Sequence, residues 1–312
     1  MFELLFTLLG LVGLWIGSEL MIRGALNISD RFKISRMFVG LTILAFLTDL
    51  PELFVTITGS YNILQGVDAS GLIVGDIIGS SFGQAILMLG ILGLFGVLTI
   101  KKRQLLRDGF MLLGSVLLLI LVGIDGTVSR VEGGMLIFIY LFYLFTLFRE
   151  EKVQEEKPTQ KLKIRLPILY LFIGLAILLY SGNLAINNAV LLSGSWGVSQ
   201  SFVGILIIGL GTSLPELFVS LTALRHKSGT MAVGNLIGST IFDLLFVLGL
   251  GATISGLTMG GNLIRFDLPI LFIFSGIVLI LFSRKMKLKR NESLILVGLY
   301  VTYAILKIVG LF

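Results

Sequence analysis

Cysteine is absent from this 312-residue chain, and histidine occurs once, as His226. The first absence excludes disulfides. The lone histidine, between Arg225 and Lys227 in a short loop, reads as a solvated residue. Charge is also scarce: 13% of residues are charged and 56% hydrophobic, against about 25% and about 45–50% in soluble domains. An ordinary soluble domain is excluded, and a bilayer is the natural solvent. The first apolar run has no basic leader and no small-residue cleavage site, so it is expected to stay as helix one.

Long apolar runs are what the chain does have. A spanning helix needs roughly 20 mostly apolar residues. Ten segments fit: 2–22, 36–64, 69–98, 109–126, 131–148, 166–190, 200–224, 229–256, 266–283 and 292–311. The net charge of +6 could suggest nucleic acid, but the charges sit in short loops rather than on a basic face. With the amino terminus outside, cytoplasmic loops collect Arg31, Lys33 and Arg36, then Lys101, Lys102, Arg103 and Arg107, the stretch 149–165, Arg225 and Lys227, and 284–290. Arg130, Arg265 and Lys307 remain on the other face. The positive-inside rule then puts both termini outside, in a multi-pass protein of the cell membrane.

The one sizeable polar segment, 149–165, carries mixed charge and Pro158 and reads as a solvated cytoplasmic linker. It separates a first half, 1–148, from a second, 166–312. At an offset of 164, Gly40 matches Gly204, Ala45 matches Gly209, Thr48 matches Thr212, Pro51 matches Pro215 and Glu52 matches Glu216. At an offset of 159, Gly75 matches Gly234, Gly79 matches Gly238, Ser80 matches Ser239 and Gln84 matches Asp243. Five helices per half is an odd number, so the second half enters the membrane inverted. The expected fold is all-α: ten transmembrane helices as two inverted five-helix repeats, a plan found in secondary transporters.

Pro51 and Pro215 each stand inside an apolar run and should break its helix, freeing carbonyls near Ala45 and Gly209. The glycine pairs Gly75/Gly79 and Gly234/Gly238 should let the two motif helices of one half approach closely. Residues three and four apart share a helix face. Asp49 and Glu52 therefore point one way, while Asp76, Ser80 and Gln84 form a row whose counterpart is Asn235, Ser239 and Asp243. Asp76 and Asn235 have a second reading, as caps of a helix restarting after glycine. The donor set is all oxygen and amide. It suits a hard cation such as Ca²⁺, which takes about 6–8 oxygens, and disfavours thiolate or imidazole metals. Glu19 either lines the ion path or bonds Arg23 one turn away.

These two paired strings, Thr48-Asp49-Leu50-Pro51-Glu52 with Gly75 to Ser80 and Gly211 to Glu216 with Gly234 to Ser239, resemble the alpha-repeats of the cation/calcium antiporter superfamily, in particular its sodium/calcium exchangers. The resemblance implies an antiporter rather than an enzyme, with helices 2, 3, 7 and 8 as the ion-binding core. It implies no cofactor, transported Ca²⁺ and Na⁺, and no partners beyond inorganic cations and lipid. Carried over by position, it places the acidic centre on Glu52 and Glu216, with Asp243 beside it. Thr48, Thr212, Ser213, Ser80 and Ser239 and the carbonyls of Ala45 and Gly209 fall around the sodium sites. Helices one and six, 2–22 and 166–190, would form a sliding gate.

The first copy departs from the pattern at Leu47, Asp49, Asp76 and Gln84, and so gains two acids. Five carboxylates, Asp49, Glu52, Asp76, Glu216 and Asp243, cannot all stay ionised together without bound cations, because like charges raise one another's pKa. Sodium-driven calcium antiport leads; proton-driven and potassium-dependent exchange stay open. A channel or an intramembrane aspartyl protease using Asp49 and Asp76 fits less well, because the second half keeps the motif and lacks both acids.

Overall fold

The computed structural model describes residues 2–150, 165–195 and 213–309. A backbone in lipid must satisfy its polar groups internally, and an apolar chain therefore goes helical. The helices are α1 (Phe2–Phe32), α2 (Arg36–Val39), α3 (Ala45–Thr48), α4 (Leu50–Leu64), α5 (Ser70–Phe82), α6 (Leu89–Phe95), α7 (Lys102–Val122) and α8 (Arg130–Glu150). In the second half they are α9 (Arg165–Ser195), α10 (Leu214–Arg225), α11 (Gly229–Phe242), α12 (Leu248–Ser255), α13 (Leu268–Lys285) and α14 (Arg290–Ile308). Wider π-helical turns connect α2 to α3 (Gly40–Leu44), α5 to α6 (Gly83–Met88) and α11 to α12 (Asp243–Val247), and precede α13 (Leu263–Asp267).

Among the described residues eight helices are long and apolar enough to cross a membrane, and a ninth candidate is the broken pair Arg36–Thr48 and Leu50–Leu64. The expected span 200–224 lies partly outside the described residues, which hold its last part as α10. The two largest boundary differences from expectation are in α1 and α7. Helix α1 continues past residue 22 because Arg23 Nε bonds Glu19 Oε1 at 2.8 Å and Asn27 Nδ2 bonds the Arg23 carbonyl at 2.7 Å, so its polar residues are satisfied along the helix. Helix α7 begins at Lys102, where Gln104 Oε1 accepts from the Lys101 N–H at 3.2 Å and ties down the entry.

The chain packs as two compact units that cut across the sequence halves: Met1–Thr48 with Glu151–Asn235, and Asp49–Glu150 with Leu236–Phe312. In the first unit, α1 and α9 run against each other at glycine contact. A Cβ on Gly17 would stand 2.8 Å from the Gly174 carbonyl, and one on Gly174 would stand 2.7 Å from that of Gly17. Helix α10 ties to α1 through Ser18 Oγ and Thr222 Oγ1 at 2.8 Å, and Arg225 lies 4.4 Å over the Trp15 ring. His226 is not simply solvated: its Nε2 lies 3.0 Å from Glu19 Oε1, because the end of α10 brings it onto α1.

In the second unit, two short strand pairs record the duplication. Strand β1 (Leu98–Thr99) pairs antiparallel with β4 (Lys287–Leu288), and β2 (Thr127–Val128) with β3 (Leu257–Thr258). Strands β1 and β2 bracket α7, and β3 and β4 bracket α13. Each strand thus pairs with the strand at the opposite end of the other helix, so α7 and α13 run in opposite directions. Both helices bury an aspartate near one end. Asp108 accepts from Tyr143 Oη at 3.0 Å and from Arg107 Nε at 2.6 Å; Asp267 accepts from Tyr303 Oη at 2.8 Å and from Lys307 Nζ at 2.6 Å. Phe142, Phe145 and Phe148 are exposed on α8, which suits a lipid-facing surface.

Candidate cation-binding site

Pro51 stands in the first turn of α4, where its missing N–H has no intrahelical partner to lose. The span therefore breaks at Asp49, between α3 and α4, as the proline predicts. Pro215 occupies the same place in α10, which begins after Ser213. Both helix starts put a glutamate, Glu52 or Glu216, in the first turn, where the positive end of the helix dipole favours an anion. Asp49, Glu52 and Glu216 are fully buried.

The second unit carries the larger share of candidate ligands. Carboxylate oxygens of Asp49 and Glu52 lie within 4.8 Å of each other. Ser80 Oγ donates to Asp243 Oδ2 at 3.0 Å, and Gln84 Nε2 to the same oxygen at 3.3 Å. Thr240 Oγ1 donates to Gln84 Oε1 at 3.2 Å, which fixes the orientation of the amide. Gln84 and Asp243 are counterparts in sequence, and each lies at the start of a π-helical turn. Such turns concentrate at functional sites because the widened backbone redirects side chains. Ser239 Oγ is buried without a hydrogen-bond partner among the described residues.

Neither Asp76 nor Asn235 caps a helix. Asp76 lies in the interior of α5 and Asn235 in that of α11, and neither helix restarts at its glycine. Asp76 Oδ2 is buried and has no hydrogen-bond partner among the described residues. Its glycine neighbours also depart from expectation: a Cβ on Gly75 or Gly79 meets no described atom within 4 Å, whereas α4 approaches α5 through Gly59, whose Cβ would stand 2.8 Å from Ile73.

In the first unit, Glu216, Ser213, Thr48 and Ala45 are all buried. The Thr48 hydroxyl turns back to the Ala45 carbonyl at 3.3 Å. Asn235 Nδ2 donates to Ser220 Oγ at 3.1 Å and to the Glu216 carbonyl at 3.5 Å, which fixes α11 against the turn carrying the acid. The close glycine approach is here, but between the halves: a Cβ on Gly234 would stand 2.5 Å from the Met37 carbonyl, and one on Gly40 would collide with the Met231 carbonyl. Ser213 Oγ is buried without a hydrogen-bond partner among the described residues. Thr212 and Gly209 lie outside them.

Two contributors escaped the sequence reading. Ser220 stands four residues after Glu216, on the same helix face, and that spacing was the available signal. Thr240 carried no signal beyond adjacency to Ser239.

A family profile described as Sodium/calcium exchanger protein matches residues 2–149 and 166–309. The sodium/calcium exchanger MaX1 of Methanosarcina acetivorans is 28% identical over 344 residues, covering 96% of this chain and 97% of the relative. The inner membrane protein YrbG of Escherichia coli is 30% identical over 273 residues, covering 81% of each. Among solved structures, the sodium-calcium exchanger NCX_Mj soaked with Na⁺ and Sr²⁺ superposes with a TM-score of 0.83 at 28% identity, over 96% of both chains. The same exchanger without Na⁺ or Ca²⁺ gives 0.82. The match across both halves, and the agreement of fold over nearly the whole length, make this a multi-pass helical membrane protein and a transporter of inorganic cations rather than an enzyme. The chain belongs to the sodium/calcium exchanger family.

Proposed function

We propose that the chain exchanges Ca²⁺ for Na⁺ across the membrane by alternating access, with no cofactor. In this reading Glu52, Glu216, Asp243 and Asp49 hold the cations. Thr48, Thr212, Ser213, Ser80, Ser239, Gln84 and Asp76 surround them with the carbonyls of Ala45 and Gly209. The observation that carries it is the treatment of Asp243, a fully buried acid whose Oδ2 receives bonds from a hydroxyl and an amide. Neutral donors orient a carboxylate without cancelling its charge. A buried charge is costly unless compensated, and a transported cation supplies that compensation. Oxygen-only donors in flexible number fit Ca²⁺.

The proposed architecture is ten helices as two inverted repeats, 1–148 and 166–312, joined by a cytoplasmic linker at 149–165, with helices 2, 3, 7 and 8 as the core. The matched π-turns at Gln84 and Asp243 and the opposed α7 and α13 support it. The asymmetry of basic residues supports placing both termini outside.

A second reading, proton-driven or potassium-dependent exchange, is favoured by Asp76, whose buried oxygen would gain from a proton or an additional cation. Uptake of ⁴⁵Ca²⁺ into vesicles separates the readings. An outward Na⁺ gradient alone should drive it, and Glu52→Gln or Glu216→Gln should abolish it. Uptake driven only by a pH gradient, or only with K⁺ present, would transfer the assignment to the second reading.

A further inference from the structure

The side chains that donate to Asp243 sit near the end of α5 and in the π-helical turn after it, and Phe82 lies midway between them, two residues past Ser80 and two before Gln84. Two positions along a helix turn by about 200°, so the Phe82 ring stands on the side of α5 away from the Ser80 hydroxyl. There it is fully buried and meets Tyr303 of α14, with ring centroids 4.0 Å apart and planes 10° from parallel. Phe274 of α13 meets the same ring edge-on, at 6.3 Å and 89°.

Tyr303 is itself firmly held. Its hydroxyl donates to Asp267 Oδ1 at 2.8 Å, and Lys307 Nζ binds the same carboxylate at 2.6 Å. Helix α14 lies against α6, directly beyond the π-helical turn, at glycine contact: a Cβ on Gly90 would stand 3.1 Å from the Val297 nitrogen, and one on Gly93 would stand 3.0 Å from Ser293 Cβ. The duplication separates two roles of the tyrosine. At an offset of 160, Tyr143 on α8 matches Tyr303, and it too donates to a buried aspartate, Asp108, at 3.0 Å. The bond from tyrosine to aspartate is thus common to both halves. The stack on the residue that precedes a site turn is made by Tyr303 and not by Tyr143 among the described residues.

We propose that Tyr303 is a positioning residue of the cation site: stacked behind Phe82, it sets the height and rotation of the end of α5 and so holds Ser80 and Gln84 on Asp243 Oδ2. A hydrogen bond weakens steeply as it loses alignment. Both donors converge on one oxygen, so a small rotation of α5 weakens two bonds at once. Without the tyrosine ring a void opens behind Phe82, the surroundings relax into it only in part, and the donors are drawn off the carboxylate. Asp243 then meets a cation in several orientations rather than one, and the preorganisation that favours binding is lost. The inference rests on the cation-exchange reading of this site.

The test is saturation binding of ⁴⁵Ca²⁺ to purified full-length protein in detergent, with the thermal unfolding of each variant measured alongside. Tyr303→Leu should weaken Ca²⁺ binding about tenfold, the effect of losing one hydrogen bond to a charged group. Tyr303→Phe, which keeps the stack, should lose thermal stability yet stay within about twofold of the parent in Ca²⁺ affinity. Tyr143→Leu should also lose stability and stay within about twofold, a split that general loosening of the fold would not produce. If Tyr303→Leu is not monodisperse, Phe82→Leu, which removes the other ring and leaves the bond to Asp267 in place, must show the same tenfold loss. With Ca²⁺ binding lost in Glu52→Gln, unchanged affinity in Tyr303→Leu or Phe82→Leu, or an equal loss in Tyr303→Phe or Tyr143→Leu, overturns the positioning role alone. Normal Ca²⁺ binding in Glu52→Gln overturns the site reading beneath it.

Discussion

The Ser80 hydroxyl donates to Asp243 Oδ2 at 3.0 Å across 163 residues of sequence, so the serine of the first repeat orients the acid of the second. Losing a hydrogen bond to a charged group costs about 1.5–3 kcal/mol. Ser80→Ala should therefore lower the melting temperature, and it should also reduce the further rise produced by saturating Ca²⁺, since a ligand stabilises in proportion to its affinity for the folded state. Asp243→Asn should abolish most of that rise. Differential scanning fluorimetry with and without Ca²⁺ reads both effects. A full Ca²⁺-induced rise in both variants would remove Asp243 from the cation site.

Asn235 and Asp76 occupy matched positions with opposite needs. Asn235 uses its amide to donate to Ser220 and to the Glu216 carbonyl. Asp76 has a buried oxygen without a partner among the described residues. Asn235→Asp would turn an acceptor toward the Glu216 carbonyl and should lower the melting temperature. Asp76→Asn removes a buried charge whose desolvation is costly and should raise it. Same-sign shifts in the two variants would show that these positions are not governed by local hydrogen bonding.

Gly40 is held where no side chain fits. A Cβ there would collide with the Met231 carbonyl and stand 2.8 Å from the Asn235 nitrogen, and backbone on both sides cannot swing away. Gly298 on α14 has no described atom within 4 Å of an added Cβ. Overpacking usually costs about 1–3 kcal/mol, whereas alanine for glycine in a helix gains about 1 kcal/mol. Gly40→Ala should thus reduce the yield of monodisperse protein sharply, while Gly298→Ala should match or exceed the parent in thermal stability.

The duplicated string disclosed the helix break at Asp49, the row of Ser80 and Gln84, and the family, because proline, glycine and acid are each costly in lipid and their recurrence is visible at once. The sequence was silent on what faces that row. Gly75 and Gly79 read as the packing surface between motif helices, but Gly59 makes that contact, and Gly40 and Gly234 each pack against backbone of the other half. Small residues report that some backbone can come near, not which one. Capping at Asp76 and Asn235 failed for a related reason: glycine in an apolar run predicts a helix end in water, whereas here tertiary packing carries the helix through it. His226 read as solvated because its neighbours in sequence are charged, and its contact with Glu19 spans 207 residues.

The buried aspartates of α7 and α13 give the sharpest test of stability away from the cation site. Asp267 is held by Tyr303 and by Lys307, which lies 2.6 Å from Oδ2, and the Tyr303 ring also stacks 4.0 Å from Phe82, two residues past Ser80. Removing one partner of a buried ion pair costs about 3–5 kcal/mol because a buried charge is left behind, while replacing the whole pair with apolar groups is often neutral. Lys307→Met should therefore destabilise strongly. Tyr303→Phe, which keeps the stack and loses one hydrogen bond, should cost about 1.5–3 kcal/mol. The double variant Asp267→Leu with Lys307→Met should recover much of the single loss. Melting temperatures of the three decide it: a double variant less stable than Lys307→Met alone would mean that the aspartate has a role its lysine and tyrosine partners do not account for.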